Sequence, residues 1–210
     1  MAQKHGYNTQ PLMQLSVRFV DCVIGDAAVE VDWFTHASGD LALLHFKNYK
    51  SIGYNGTAVF PADTSGLKQG KYLCRLGFPF PEFTNFEYDS ANDAIRWTDT
   101  GRQVTPRFPI EGMVTRHLLD PSGATVGFEM STPGLKGQSG GPAFDIQGKV
   151  WGVQFATNHL DLDFDVNQQV VREGTKKIVS DSAFLHVGGC VHVDVMKAFM
   201  RKHNVVFTEQ

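Results

Sequence analysis

The sequence predicts an all-β fold closed by one C-terminal helix. Two observations carry this. Short apolar or alternating stretches recur between Gly-, Asp- and Ser-containing turns, a spacing that suits a sandwich or barrel. Only the last stretch, Val195-Met-Lys-Ala-Phe-Met-Arg-Lys-His203, has helical character. Asp194 stands ahead of it as an N-cap candidate, and Lys and Arg fall in its last turns.

In chain order, Leu15–Val20 alternates like a half-buried strand, and Cys22–Gly25 and Ala28–Phe34 follow at strand spacing. Thr35–Asp40 is a turn leading into the apolar run Leu41–Phe46. Residues 61–70 are rich in Gly, Ser, Thr and Asp and read as a linker, which puts a domain boundary near residue 65. A strand then runs into Gly77-Phe-Pro. Residues 82–108 are an acidic, aromatic insert that reads as a decorated loop or extra hairpin. Ile110–Leu118 and Thr125–Thr132 are strands, His117 being structural. Phe144–Phe155 reads as strand, Gln147-Gly148 turn, strand.

Asp161, Asp163, Asp165 and Asn167 alternate with Leu162, Phe164 and Val166. A calcium loop of the helix–loop–helix kind needs Gly at its sixth place and Glu at its twelfth, where this chain has Val166 and Arg172. A strand with one wet face is the simpler reading. Glu173–Lys177 turns the chain, and Ala183–Val193 is the last strand.

The chain has 210 residues, enough for a sizeable core, and 42% are hydrophobic. A net charge of −3 offers no basic footprint for nucleic acid and no polybasic membrane patch. No apolar run reaches the length of a membrane span, which takes about 20 residues. The first residues lack the apolar centre of a signal peptide. Cys22, Cys74 and Cys190 are odd in number and lack metal or disulfide spacing, so buried free thiols and a reducing, cytoplasmic setting are expected.

The chemistry concentrates in Gly137-Gln-Ser139-Gly-Gly-Pro142. Glycines allow positive φ and close backbone approach, which suits a loop whose N–H groups converge on one point. A serine hydroxyl is a weak nucleophile that needs a neighbouring base and donors for the oxyanion that forms. Asp40-Leu-Ala-Leu-Leu44 puts a carboxylate at the mouth of a core strand, where it could orient an imidazole.

These two motifs, with the hairpin after Pro142, resemble those of trypsin/chymotrypsin-fold serine proteases. Leu67-Lys-x-Gly70, a strand and Gly77-Phe-Pro-Phe80 resemble the second barrel of the bacterial HtrA-type members. The resemblance implies two antiparallel β-barrels: residues 1–65 as a partial N-terminal barrel, 66–193 as the barrel with the nucleophile loop, and 194–210 as helix and tail. It implies a serine endopeptidase acting on polypeptides through a His-Asp-Ser triad, without a cofactor. Ser139 would be the nucleophile and Asp40 the orienting acid, with the N–H groups of Gly137 and Ser139 as oxyanion donors.

In the family the base precedes the aspartate by tens of residues. Only His5 and His36 precede Asp40, and His36 lies too near in sequence to come from another loop. His5, 35 residues ahead, is therefore assigned as base. The family places about three strands before its histidine and this chain has four residues there, so either the first barrel is incomplete or the chain is a truncated piece. Pro133 occupies the place of the acid that gives trypsins their taste for Arg and Lys, which points to a small or apolar P1 residue. The strand around Val153, Phe155 and Thr157 would pair with the substrate backbone.

A rival reading is a protease-like module that grips peptides without cutting them. A metal-binding β-protein is a third, with His36/His45 and His186/His192 as the pairs to consider.

Overall fold

A computed structural model describes residues 31–47, 56–80, 82–104, 106–172 and 174–210. His5, Cys22 and the strands expected over 15–25 lie outside the described residues. The elements in order are β1 (Val31–Thr35), β2 (Ala42–Phe46), β3 (Val59–Phe60), β4 (Tyr72–Gly77), β5 (Glu82–Phe83), β6 (Phe86–Asp89), β7 (Ala94–Trp97) and β8 (Gln103–Val104). There follow β9 (Phe108–Leu119), β10 (Thr125–Met130), β11 (Pro142–Phe144), β12 (Val150–Arg172), β13 (Thr175–His192), α1 (Val193–Lys202) and β14 (Thr208–Glu209). The described residues are mostly β with one helix near the C-terminus, as expected.

Six strands close into an antiparallel barrel in the order β10-β13-β12-β11-β4-β9. Alternation along β4 shows why: Leu73, Arg75 and Gly77 face inward and Tyr72 outward. The inward set of all six strands builds a core of Leu73, Val114, Phe128, Met130, Ala143, Trp151 and Cys190, plugged by Leu67 from the preceding turn. Burial pushes the Cys190 thiol up to about 12, so it behaves as a small apolar side chain.

The turns use the expected chemistry. Asp120 Oδ1 accepts from the N–H groups of Ser122 and Ala124, and Gly123 takes φ +84° between β9 and β10. Gly148 takes φ +77° in the β11–β12 turn. The insert after β4 is an extra hairpin, β6 on β7, extended by β5 on β8.

β12 and β13 outrun the barrel as a long ribbon, paired as far as Arg172 with Thr175. The Asp161–Asn167 stretch is part of β12, with the register broken between Asp161 and Asp165.

β13 passes into α1 without a loop, which corrects the expected cap. His192 is the N-cap, and its Nδ1 accepts from the N–H of Asp194 at 3.1 Å. Asp194 sits in the first turn, accepts from Thr64 Oγ1 and pairs with Lys197. The sequence signal mistook a first-turn acid for a cap because a strand ending in a buried histidine gives no turn residue to read.

Helix α1 buries Val193, Met196, Phe199 and Met200, a stripe at helical spacing. Val193, Met196 and Met200 join Phe60, Val150 and Val191 in a second cluster, against which Leu41, Leu43, Val153 and Phe155 pack. This cluster holds the β1–β2 hairpin beside β12. Lys197 is buried, donates to Pro61 O at 3.0 Å and pairs with Glu209, tying α1 to the parallel β3–β14 pair. Among the described residues no helix is long and apolar enough to cross a membrane.

Candidate active site

The Ser139 loop joins β10 to β11 and is held from behind by the end of β4. Phe78 N donates to Gly137 O at 3.2 Å. Gly137 takes φ +95°, and a Cβ there would lie 2.6 Å from Phe78 O. Gly77 makes the complementary allowance: its Cβ would meet Gln138 Cα at 2.7 Å. Only glycines let these two backbones approach so closely.

Gln138 is fully buried and turns back into the loop. Its Oε1 accepts from Leu135 N at 3.0 Å, and its Nε2 donates to Phe108 O at 3.1 Å. Ser139, the next residue, is thereby forced outward and is exposed. The N–H groups of Gln138, Gly140 and Gly141 are spent on Leu135 O, Gln154 O and Gln138 O. Among the described residues no hydrogen bond takes the N–H of Gly137 or of Ser139.

Ser139 and Gly140 open on a cavity of about 640 Å³. Its far wall is the turn and strand from Thr35 to Leu44, including His36 and Asp40. Val153, Gln154 and Phe155 of β12 form its side. The structure thus brings Asp40 and Ser139, 99 residues apart in sequence (139 − 40), onto one cavity. Asp40 is exposed, and among the described residues its carboxylate makes no hydrogen bond.

His36 also lines the cavity, which sequence spacing alone did not suggest. Its Nδ1 accepts from Gly39 N at 2.9 Å and Ser38 N at 3.3 Å, and its ring stands edge-on to Phe199 at 5.1 Å. A ring that accepts at Nδ1 carries its neutral-form proton on Nε2. The base of a triad needs the opposite tautomer, with Nδ1–H on the carboxylate and the Nε2 lone pair on the serine. His36 therefore serves as a cap of the 36–39 turn.

Pro133 is exposed, and its carbonyl accepts from the Arg75 guanidinium at 2.9 Å. Val153 pairs with Pro142 and Val191, and the register slips at Phe155. Thr157 Oγ1 donates to Gly134 O at 2.6 Å, joining β12 to the segment before the serine.

Arg75 is the residue that sequence reading passed over, since it sat in an ordinary-looking strand. It is fully buried, and burial lowers its pKa. Of the histidine pairs considered for a metal, His186 and His192 separate: His186 Nδ1 stands 2.6 Å from His159 Nδ1 on the exposed ribbon, while His192 is buried as the helix cap. His36 spends its Nδ1 on its own turn, and His45 Nδ1 stands 3.9 Å from Asp32 Oδ2.

No protein-family model matches the chain, and no curated protein matches it either.

Proposed function

We propose that this chain is a serine endopeptidase of the two-barrel, trypsin-like kind. The observation that carries the reading is Ser139 itself: an outward serine on a glycine-shaped loop, beside two unspent N–H groups, facing a cavity shared with Asp40. The β1–β2 hairpin is read as part of the first barrel, and the closed barrel as the second.

In this reading Ser139 Oγ attacks the scissile carbonyl carbon while His5 Nε2 takes its proton. The N–H groups of Gly137 and Ser139 receive the oxyanion. His5 returns the proton to the leaving amine as the C–N bond breaks, giving an acyl-serine and a free amine. Water, deprotonated by His5, then releases the carboxylic acid and restores Ser139. Asp40 holds the imidazole in its working tautomer. Past Gln154, the edge of β12 that faces the loop is offered to the peptide backbone as a neighbouring strand.

A fluorophosphonate probe, with the adduct located by mass spectrometry, tests this. Labelling at Ser139 in the folded chain, together with casein cleavage that Ser139→Ala abolishes, is the expected result. A folded protein that neither labels nor cleaves would overturn it. That the exposed carboxylate of Asp40 makes no hydrogen bond among the described residues favours the second reading, a peptide-binding module without turnover, which would show peptide binding without labelling.

A further inference from the structure

A second cavity, of about 360 Å³, lies against the Thr35–Asp40 turn, and no residue of the serine loop lines it. It meets the Ser139 cavity at His36, Gly39, Asp40 and Phe155. Its size is that of a small-molecule site. The apolar walls are Leu118, Pro121, Val126, Phe155, Val191 and Val195, drawn from β9 and the turn after it, β10, β12, β13 and α1. Two of these are bulge residues. The β9–β10 register slips at Val126 and the β12–β13 register slips at Phe155, so neither has a partner opposite it in that pairing. A bulge re-aims a side chain, and here two separate bulges supply wall to one cavity.

Two carboxylates dominate the polar lining. Asp120 Oδ1 accepts from the hydroxyl and N–H of Ser122 and from the N–H of Ala124, which leaves Oδ2 with no hydrogen bond among the described residues. These bonds, the Ser122 hydroxyl first, hold the Asp120 carboxyl below its ordinary value, so it is an anion at neutral pH. Asp40, on the other side, takes no hydrogen bond at all among the described residues. Ser38 adds a hydroxyl, and His36 in its neutral form adds one N–H at Nε2, since its Nδ1 is spent on the turn. Among the described residues no Lys or Arg lines the cavity.

Two like charges beside an apolar space repel each other, and a cation relieves both. A hard metal ion such as calcium needs six or more oxygens, which aliphatic walls do not supply. A cation carried on an aliphatic chain suits both parts of the lining, its methylenes on the walls and its charged head on the carboxylates.

We propose that this cavity is a binding site for a primary alkylammonium group, whether the end of a lysine side chain or a free aliphatic amine, with its charged end at Asp40 and Asp120 and its methylenes against Leu118, Val126 and Val195. The three N–H donors of the ammonium find acceptors in the two carboxylates and the Ser38 hydroxyl.

A titration of the full chain followed by amide NMR tests this. It needs no turnover, so its outcome is separate from that of the peptidase reading. Hexylammonium should bind at one site and shift the amides of Leu118, Val126 and Val195. It should bind on the order of 30-fold more tightly than hexanol, the worth of a charged hydrogen-bonded contact. It should also bind about fourfold more tightly than pentylammonium, which has one methylene fewer. Asp120→Asn keeps an acceptor for the turn N–H groups of Ser122 and Ala124, and should weaken the ammonium about tenfold while leaving hexanol unchanged. Val126→Lys, at a position 38% exposed, puts an ammonium of the chain's own into the cavity and should abolish binding even if the aspartate variant fails to fold. Nα-acetyl-lysine methylamide and its Nε-acetyl derivative distinguish the sources. Binding of the first and not the second supports a lysine side chain, and binding of hexylammonium without either supports a free amine. Equal binding of hexanol and hexylammonium would overturn the site. So would ammonium binding that survives Val126→Lys, or the absence of saturable binding by any of the amines.

Discussion

Trp151 Nε1 donates a 2.7 Å hydrogen bond to Asp145 Oδ2, joining the start of β12 to the turn that leads into it. Asp145 Oδ1 meanwhile accepts from the N–H groups of Gln147 and Lys149. Lys71 stands 3.7 Å from the carboxylate and 4.2 Å above the indole ring. Both side chains are buried. One carboxylate thus pins the β11–β12 hairpin to the turn before β4, and through it the frame that carries Ser139.

Asp145→Asn turns an amide N–H toward the indole N–H and should cost about 1–3 kcal/mol. Burial alone would raise the Asp145 pKa, but the Trp151 and backbone hydrogen bonds and Lys71 outweigh it, and the carboxyl lies below its ordinary value. Its stabilisation is therefore complete above the unfolded value of about 3.9 and is lost as pH falls through the lower folded value. Thermal melts should show the gap between native and variant proteins closing in acid. A gap that stays constant with pH would refute this account of the carboxylate.

Gly77→Ala should damage the site without dismantling the barrel. Its Cβ would push on the backbone of Gln138, 2.7 Å away, rather than on a flexible side chain. A stability loss of about 1–3 kcal/mol is expected from the overpacking. Probe labelling of Ser139 should fall at least about tenfold, since small misplacements are costly in rate. Full labelling in the alanine variant would mean that the loop is not braced by β4.

Gln138→Leu roughly keeps the volume but takes from Leu135 N–H and Phe108 C=O, both part-buried, their side-chain partner. About 2–4 kcal/mol of stability should go, read as a shift in the urea midpoint. A neutral result would show that water replaces the amide.

His5→Ala and His36→Ala should behave differently, although both histidines precede Asp40. Losing His5 should abolish labelling at Ser139. Losing His36 removes two backbone contacts of a turn, costs about 1 kcal/mol, and should leave labelling measurable. The reverse pattern would make His36 the base and would require its tautomer to switch.

His192 should make the protein acid-sensitive. Burial lowers its pKa, Asp194 works against that, and His117 and Lys197 add to it. The folded chain thus resists a proton that the unfolded chain accepts below its ordinary value of about 6.5. Stability should be level above that value and fall as pH drops from it toward the lower folded one. His192→Asn keeps a capping acceptor and should flatten this slope between about pH 7 and pH 5. Denaturant midpoints measured across that range check it, and an unchanged slope would assign the acid sensitivity elsewhere.

Local signals carried much of the fold. Alternation along β4, glycine at the turns and helical spacing in α1 are properties of neighbouring residues, and each is visible in sequence. The serine loop was equally legible, because glycines needed for positive φ and close approach leave a fixed imprint.

Relationships between distant residues were not legible. That Arg75, Thr132, Gln154 and Gly188 meet around one guanidinium depends on how four separate segments close the barrel, and no spacing announces it. The cap fell to His192 rather than Asp194 because a strand running straight into a helix is a tertiary accommodation, made possible by the cluster around Val191, Val193 and Met196. By itself, then, the sequence determined a β-rich chain closed by a helix, with a serine on a glycine-shaped loop. Only the tertiary structure decided that Asp40 shares the serine's cavity, that His36 spends its Nδ1 on a turn, and that the buried Arg75 guanidinium ties the residues before the serine loop to β12. Packing brings those groups together, and packing acts between residues that the chain order keeps apart.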